Sequence, residues 1–153
     1  MSIKKRAFYF FCACCLLFSL VGCGKKEDTT LADGMFLMLS STVKGEAVET
    51  YEMYTLHAEI SDNGNVRIYA DDFNRWVPGD PCPEETVQLS ADTIQQIKDL
   101  IDEIDLYHMR RNIGSRDLKD GEYKELTLYT ASGEHVSGGL NPSNREFLKL
   151  YDY

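Results

Sequence analysis

The stretch Tyr54–Ala70, YTLHAEISDNGNVRIYA, decides the fold. Tyr54, Leu56, Ala58 and Ile60 alternate with Thr55, His57 and Glu59, the period of a strand with one buried face. Val66, Ile68 and Ala70 repeat the pattern against Arg67 and Tyr69. Between the arms lies Asp62-Asn63-Gly64. A two-residue Asn63-Gly64 turn sets Ile60 opposite Arg67, which puts an apolar and a charged side chain on one face. A three-residue loop sets Ile60 opposite Val66, Ala58 opposite Ile68 and Leu56 opposite Ala70. It also places Gly64 where left-handed geometry is needed. The second register is the one expected, and it makes the sheet antiparallel.

Outward from this hairpin, Met35 to Val43 is apolar enough for a first strand, followed by a polar loop over Lys44 to Thr50. Asp72 to Thr86 holds three of the chain's four prolines and is expected to be irregular. Ser90 can cap a helix whose stripe is Ile94, Ile97, Ile101 and Ile104, widened by Leu100. Gln95, Gln96, Lys98, Asp99, Asp102 and Glu103 take the outer side. Arg110 to Gly121 is a connector. Tyr123 to Thr130 and His135 to Gly139 form a second hairpin around Ser132-Gly133. There a three-residue loop pairs Leu128 with Val136, and a two-residue loop pairs Tyr129 with Val136. Asn141-Pro142 looks like a cap and first residue of a terminal helix burying Phe147, Leu148 and Tyr151. The order predicts an α+β domain: an antiparallel sheet of four or five strands with two helices packed on one face.

The N-terminal segment is different in kind. Lys4, Lys5 and Arg6 precede 16 uncharged residues, Ala7 to Gly22. As a helix these cover roughly 24 Å, short of the roughly 30 Å hydrocarbon core, so a cleavable signal is expected. Its end, Leu20-Val21-Gly22-Cys23, resembles the lipobox of bacterial lipoproteins. That resemblance implies diacylglycerol on the Cys23 sulfur and cleavage before Cys23. The expected organisation is a signal peptide at 1–22, a lipid-anchored tether at 23–33 and one domain at 34–153, on the extracytoplasmic face of a bacterial membrane. The helix from Leu89 to Leu106, the strand start Asp120-Gly121-Glu122-Tyr123 and the junction Gly139-Leu140-Asn141-Pro142 also resemble small uncharacterised bacterial lipoproteins. Those motifs are turn and cap chemistry and imply a fold, with no activity attached.

Loss of residues 1–22 removes three of 16 basic and none of 25 acidic residues, leaving 13 against 25, a net charge of −12. Nucleic acid is thereby excluded as an expected partner, because its phosphates are repelled. Cys12, Cys14 and Cys15 leave with the leader and Cys23 carries lipid. Cys82 is then alone, so no internal disulfide is expected. His57, His108 and His135 lie apart in sequence, and no metal or cofactor is expected. Asp62-Asn63-Gly64 is turn chemistry rather than a calcium loop. Phe73, Arg75 and Trp76 are the candidate partner-binding residues, since Trp and Arg are enriched where interfaces concentrate their energy. The functional expectation is a non-enzymatic module that binds an envelope protein or ligand. The alternative is a small hydrolase using Cys82 or a histidine.

Overall fold

The computed structural model describes residues 28–44, 53–71, 82–115 and 121–153. Its elements are β1 (Met35–Lys44), β2 (Met53–Ser61), β3 (Asn65–Asp71), β4 (Glu84–Gln88), α1 (Ala91–Glu103), a 3₁₀ turn (Leu106–His108), β5 (Tyr123–Thr130), β6 (Gly133–Leu140) and α2 (Arg145–Tyr151). The strands form one antiparallel sheet in the order β4-β3-β2-β1-β5-β6.

The β2–β3 hairpin has the expected register: Ile60 faces Val66, Ala58 faces Ile68 and Leu56 faces Ala70. Gly64 has φ +88°, and its N–H donates to Ser61 O. A Cβ there would lie 2.5 Å from Leu89 O, the carbonyl leading into α1. Gly64→Ala therefore combines a left-handed backbone with a clash against main chain. We expect it to cost about 2 kcal/mol or more, read as a lowered urea midpoint with an unchanged slope. Wild-type stability in this variant would show that the turn relaxes freely.

The helix α1 begins as its sequence dictates. The Ser90 hydroxyl accepts from Thr93 N at 3.1 Å, and Asp92 sits in the positive first turn. Its isoleucine stripe shares one core with Phe147 and Leu150 of α2 and with Leu37, Ile60, Val66, Leu126 and Leu128 of the sheet. An irregularity between Met35 and Leu37 brings the consecutive residues Phe36 and Leu37 both into that core. The two helices are also tied to each other by Lys149 and Glu103 at 2.7 Å.

Four local features differ from the sequence expectation. The sheet has six strands, one more than the upper expectation, because Glu84–Gln88 pairs with β3 immediately after Pro83. Proline is compatible with the approach to an edge strand, so the proline-rich loop ends earlier than expected. In the second hairpin neither expected register occurs. Thr127 faces Val136 and Leu128 faces His135, across a turn at Ala131-Ser132. The sheet face of β6 toward the core thus carries His135 and Ser137. Both are paired with carbonyls of the segment after the 3₁₀ turn: His135 Nε2 donates to Met109 O at 2.9 Å and Ser137 Oγ to Arg110 O at 2.8 Å. The third difference is at α2, which is capped by Asn144, whose side chain accepts from Phe147 N at 2.9 Å. Asn141 instead takes a left-handed φ of 44° and closes the start of β5. Its N–H donates to Glu122 O and its Oδ1 accepts from Glu122 N. α2 buries Phe147 and Leu150, while Leu148 and Tyr151 are partly buried.

The fourth difference concerns the segments flanking the second hairpin. From Asp28 onward the expected tether is bonded to it: Ala131 N donates to Thr30 O, and Ala32 N to Tyr129 O. The connector runs along the outer edge of β6, with Ile113 N donating to Gly138 O and Ser115 N to Leu140 O. Glycines allow that approach, for a Cβ on Gly139 would lie 2.5 Å from the Gly114 nitrogen.

Candidate functional site

Among the residues singled out from the sequence, Cys23, Phe73, Arg75 and Trp76 lie outside the described residues. Cys82 is exposed, and its thiol donates to Ala70 O at 3.3 Å. The histidines are each engaged elsewhere: His108 with Asp105 at 2.7 Å, His135 with Met109 O, and His57 on the sheet. Cys82→Ser is expected to change stability by less than about 1.5 kcal/mol, since the thiol is exposed and its bond is one a hydroxyl can replace. A denaturation midpoint shifted by more than that would mean that the sulfur is packed against apolar neighbours. Among the described residues no three His, Cys, Asp or Glu side chains are grouped as metal ligands. No helix among them is long and apolar enough to cross a membrane.

Two arrangements remain. One is a polar row on the sheet face away from the helices. The cross-strand register places Ser40 beside His57 and His57 beside Tyr69. His57 Nδ1 lies 2.9 Å from Ser40 Oγ, and Nε2 lies 3.0 Å from Asp71 Oδ2. A carboxylate only accepts, so Nε2 carries a proton and donates to Asp71, while Nδ1 pairs with the serine hydroxyl. The rings of His57 and Tyr69 stack at 5.0 Å, and Arg67 lies over the Tyr69 ring. Burial, then the hydrogen bond to Glu59, push the Tyr69 hydroxyl up to about 12, so it stays a donor.

Serine, histidine and aspartate in line suggest nucleophilic catalysis, but the backbone around them does not suit it. Ser40 is 6% exposed on a strand paired on both sides, to β2 and to β5. Its neighbouring amides are spent in those ladders, so none is free to meet an oxyanion. The row acts as a cross-strand ladder tying β1, β2 and β3.

The other arrangement is an apolar groove on the helix side, of about 280 Å³. Its floor is Leu39, Ile60 and Ile68, and Ile97 of α1 and Leu150 of α2 form walls. Val87 and Tyr153 stand at its rim, 37% and 62% exposed. They are two of the three large apolar side chains that are exposed among the described residues. The physical origin is a mismatch of widths. Six strands at about 4.8 Å spacing span about 24 Å between the outermost axes, whereas two helices of about 10 Å diameter cover about 20 Å. The part of the sheet left open runs over β1 to β4, at Leu39, Ile60, Ile68 and Val87. Among the described residues, no Asp, Glu, Lys or Arg lines the groove. The volume is well above the 150 Å³ of an engineered apolar cavity that holds benzene.

The sequence contains the groove's residues but not its existence. Val87, Leu89 and Thr93 acquire a role only once Glu84–Gln88 is a strand, and the prolines before it mask that strand. Likewise Ser40 meets His57 only through the β1–β2 register, for which no turn sequence supplies a constraint comparable to Asp62-Asn63-Gly64. Comparisons of the chain with models of protein families and with curated proteins find no match.

Proposed function

We propose that this chain is a lipid-anchored extracytoplasmic protein, held at a bacterial membrane through Cys23, whose domain is a non-enzymatic binding module. The observation that carries the binding part is the apolar groove with exposed Val87 and Tyr153 at its mouth. A large apolar concavity with a few polar groups at its margin is the usual form of a ligand site. An exposed apolar margin is costly in water unless a partner covers it at work. Phe73, Arg75 and Trp76 belong to the connection between β3 and β4, two of the four strands that line the groove, and are the proposed recognition side chains of that connection.

The test uses the uncharged fluorophore N-phenyl-1-naphthylamine with residues 23–153 carrying Cys23→Ser, so that no acyl chain competes. Saturable, blue-shifted emission is expected. Val87→Lys, at an exposed rim position, should weaken it at least fivefold with the circular dichroism spectrum unchanged. Absence of saturable binding, or equal binding by the variant, would remove the groove from the reading.

A further inference from the structure

The two edges of the sheet are treated differently. The outer side of β6 is occupied by the connector, through Ile113 N to Gly138 O, Gly138 N to Arg111 O and Ser115 N to Leu140 O. The outer side of β4 has no strand partner among the described residues, and all five of its residues are exposed. That open edge adjoins the groove, because Val87 belongs to both. Along β4 the side chains alternate. Glu84 turns to the polar face and pairs with Arg67 at 3.1 Å. Glu85, opposite Ile68, and Val87, opposite Val66, share the groove face. Glu85 has no hydrogen-bond or ion-pair partner among the described residues.

We propose that the β4 edge and the groove together bind an extended, cationic peptide segment, which adds to the sheet as a seventh strand. The proposal rests on the binding-module reading and names its ligand class. An open edge offers main-chain N–H and C=O groups to an incoming strand, and an adjoining pocket selects alternate side chains. Successive same-face residues in a strand stand about 6.8 Å apart, which is the spacing that separates Glu85 from Val87. The peptide matching this edge therefore carries one apolar side chain for the groove and a Lys or Arg two residues away for Glu85. About 280 Å³ admits a side chain as large as Leu or Phe. The surplus of acid over base in the chain, 25 against 16, adds attraction for a cationic segment and raises its association rate.

The same charges weigh against the other occupants. An anionic lipid would find no Lys or Arg among the described residues of the groove lining for its headgroup. A second copy would set its own Glu84 and Glu85 against an equally acidic edge, the like-charge arrangement that discourages edge-to-edge pairing.

The experiment takes the full chain in phosphatidylcholine nanodiscs and follows the anisotropy of a fluorescein-labelled peptide, Thr-Thr-Leu-Thr-Lys-Thr-Thr, with empty nanodiscs subtracted. Saturable binding is expected. Two forms of the peptide are N-methylated on alternate amides, in opposite phases. One phase should lose at least tenfold in affinity and the other should bind within twofold of the parent, because only alternate amides face the pairing edge. Glu85→Gln and Val87→Ser, both at exposed positions, should each weaken binding at least threefold. The inference is overturned if both methylated phases bind alike, if both protein variants bind as the wild type, or if no peptide binds. Dimerisation through β4 in place of peptide binding overturns it too. Peptide failure with the naphthylamine probe still bound leaves the binding-module reading standing, whereas loss of both removes both.

Discussion

Ile101→Asp should abolish cooperative folding. Ile101 is fully buried on α1, in one core with Leu37 and Leu128 of the sheet and with Phe147 of α2. Its side chain contributes about 1.5–3 kcal/mol by leaving water. Replacing it with a carboxylate forfeits that and adds a buried charge without a partner. Such a charge typically costs about 3–5 kcal/mol. The combined loss, about 5 kcal/mol or more, reaches the whole stability of many domains. The surroundings offer little rescue, because Leu100 and Ile104 beside it on the helix are also buried. A graded control separates packing from charge: Ile101→Val removes one methylene and should cost about 1 kcal/mol. Far-UV circular dichroism under heating reads both. A sigmoidal melt of Ile101→Asp near the wild-type temperature would show that this face of α1 is hydrated.

The α1 stripe and the first hairpin were legible for a common reason. In each, a single period sorts side chains to one apolar face, and a local signal fixes the phase: Ser90 for the helix, Asp62-Asn63-Gly64 for the turn. Where the core face is not apolar, the pattern fails. In β6 the inward residues are His135 and Ser137, which satisfy the Met109 and Arg110 carbonyls. Reading Val136 as the inward residue follows the hydrophobic rule and yields the wrong register. The same limit explains Asn141. Its side chain is a good cap in isolation, but it is drawn to Glu122 N in a strand 19 positions away in sequence. Competition between local and distant donors is invisible to a local reading. The groove was illegible for a geometric reason: it is the margin left when two helices cover a sheet one strand wider than expected.

Under the proposed anchoring, Cys23→Ser should release the chain from its membrane or leave it unprocessed with its leader attached. The argument is chemical. Diacylglycerol transfer forms a thioether, and a hydroxyl is not a substitute nucleophile for that bond at neutral pH. Each acyl chain contributes about 0.8 kcal/mol per buried methylene, and stable attachment takes two such chains, because a single one binds marginally. Losing the thiol therefore removes the whole anchor rather than weakening it. The polypeptide offers no replacement, since 13 basic residues against 25 acidic ones after residue 22 disfavour contact with an anionic leaflet. Nor does the fold hold the segment open by chance. Asp28 O accepts from Ser132, and Thr30 and Ala32 are bonded to the β5–β6 hairpin. Only Gly24–Glu27 then separates the lipidated residue from Asp28, the first bonded one among the described residues, at most about 18 Å when fully extended. The domain would accordingly sit against the bilayer surface, with its approach limited by charge. Detergent phase partitioning and metabolic labelling with a palmitate analogue measure both halves of the claim. Wild-type protein should enter the detergent phase and carry label; Cys23→Ser should carry no label, and should leave the detergent phase wherever its leader has been removed. Label retained on the serine variant would locate the lipid elsewhere in the chain and end the lipobox reading.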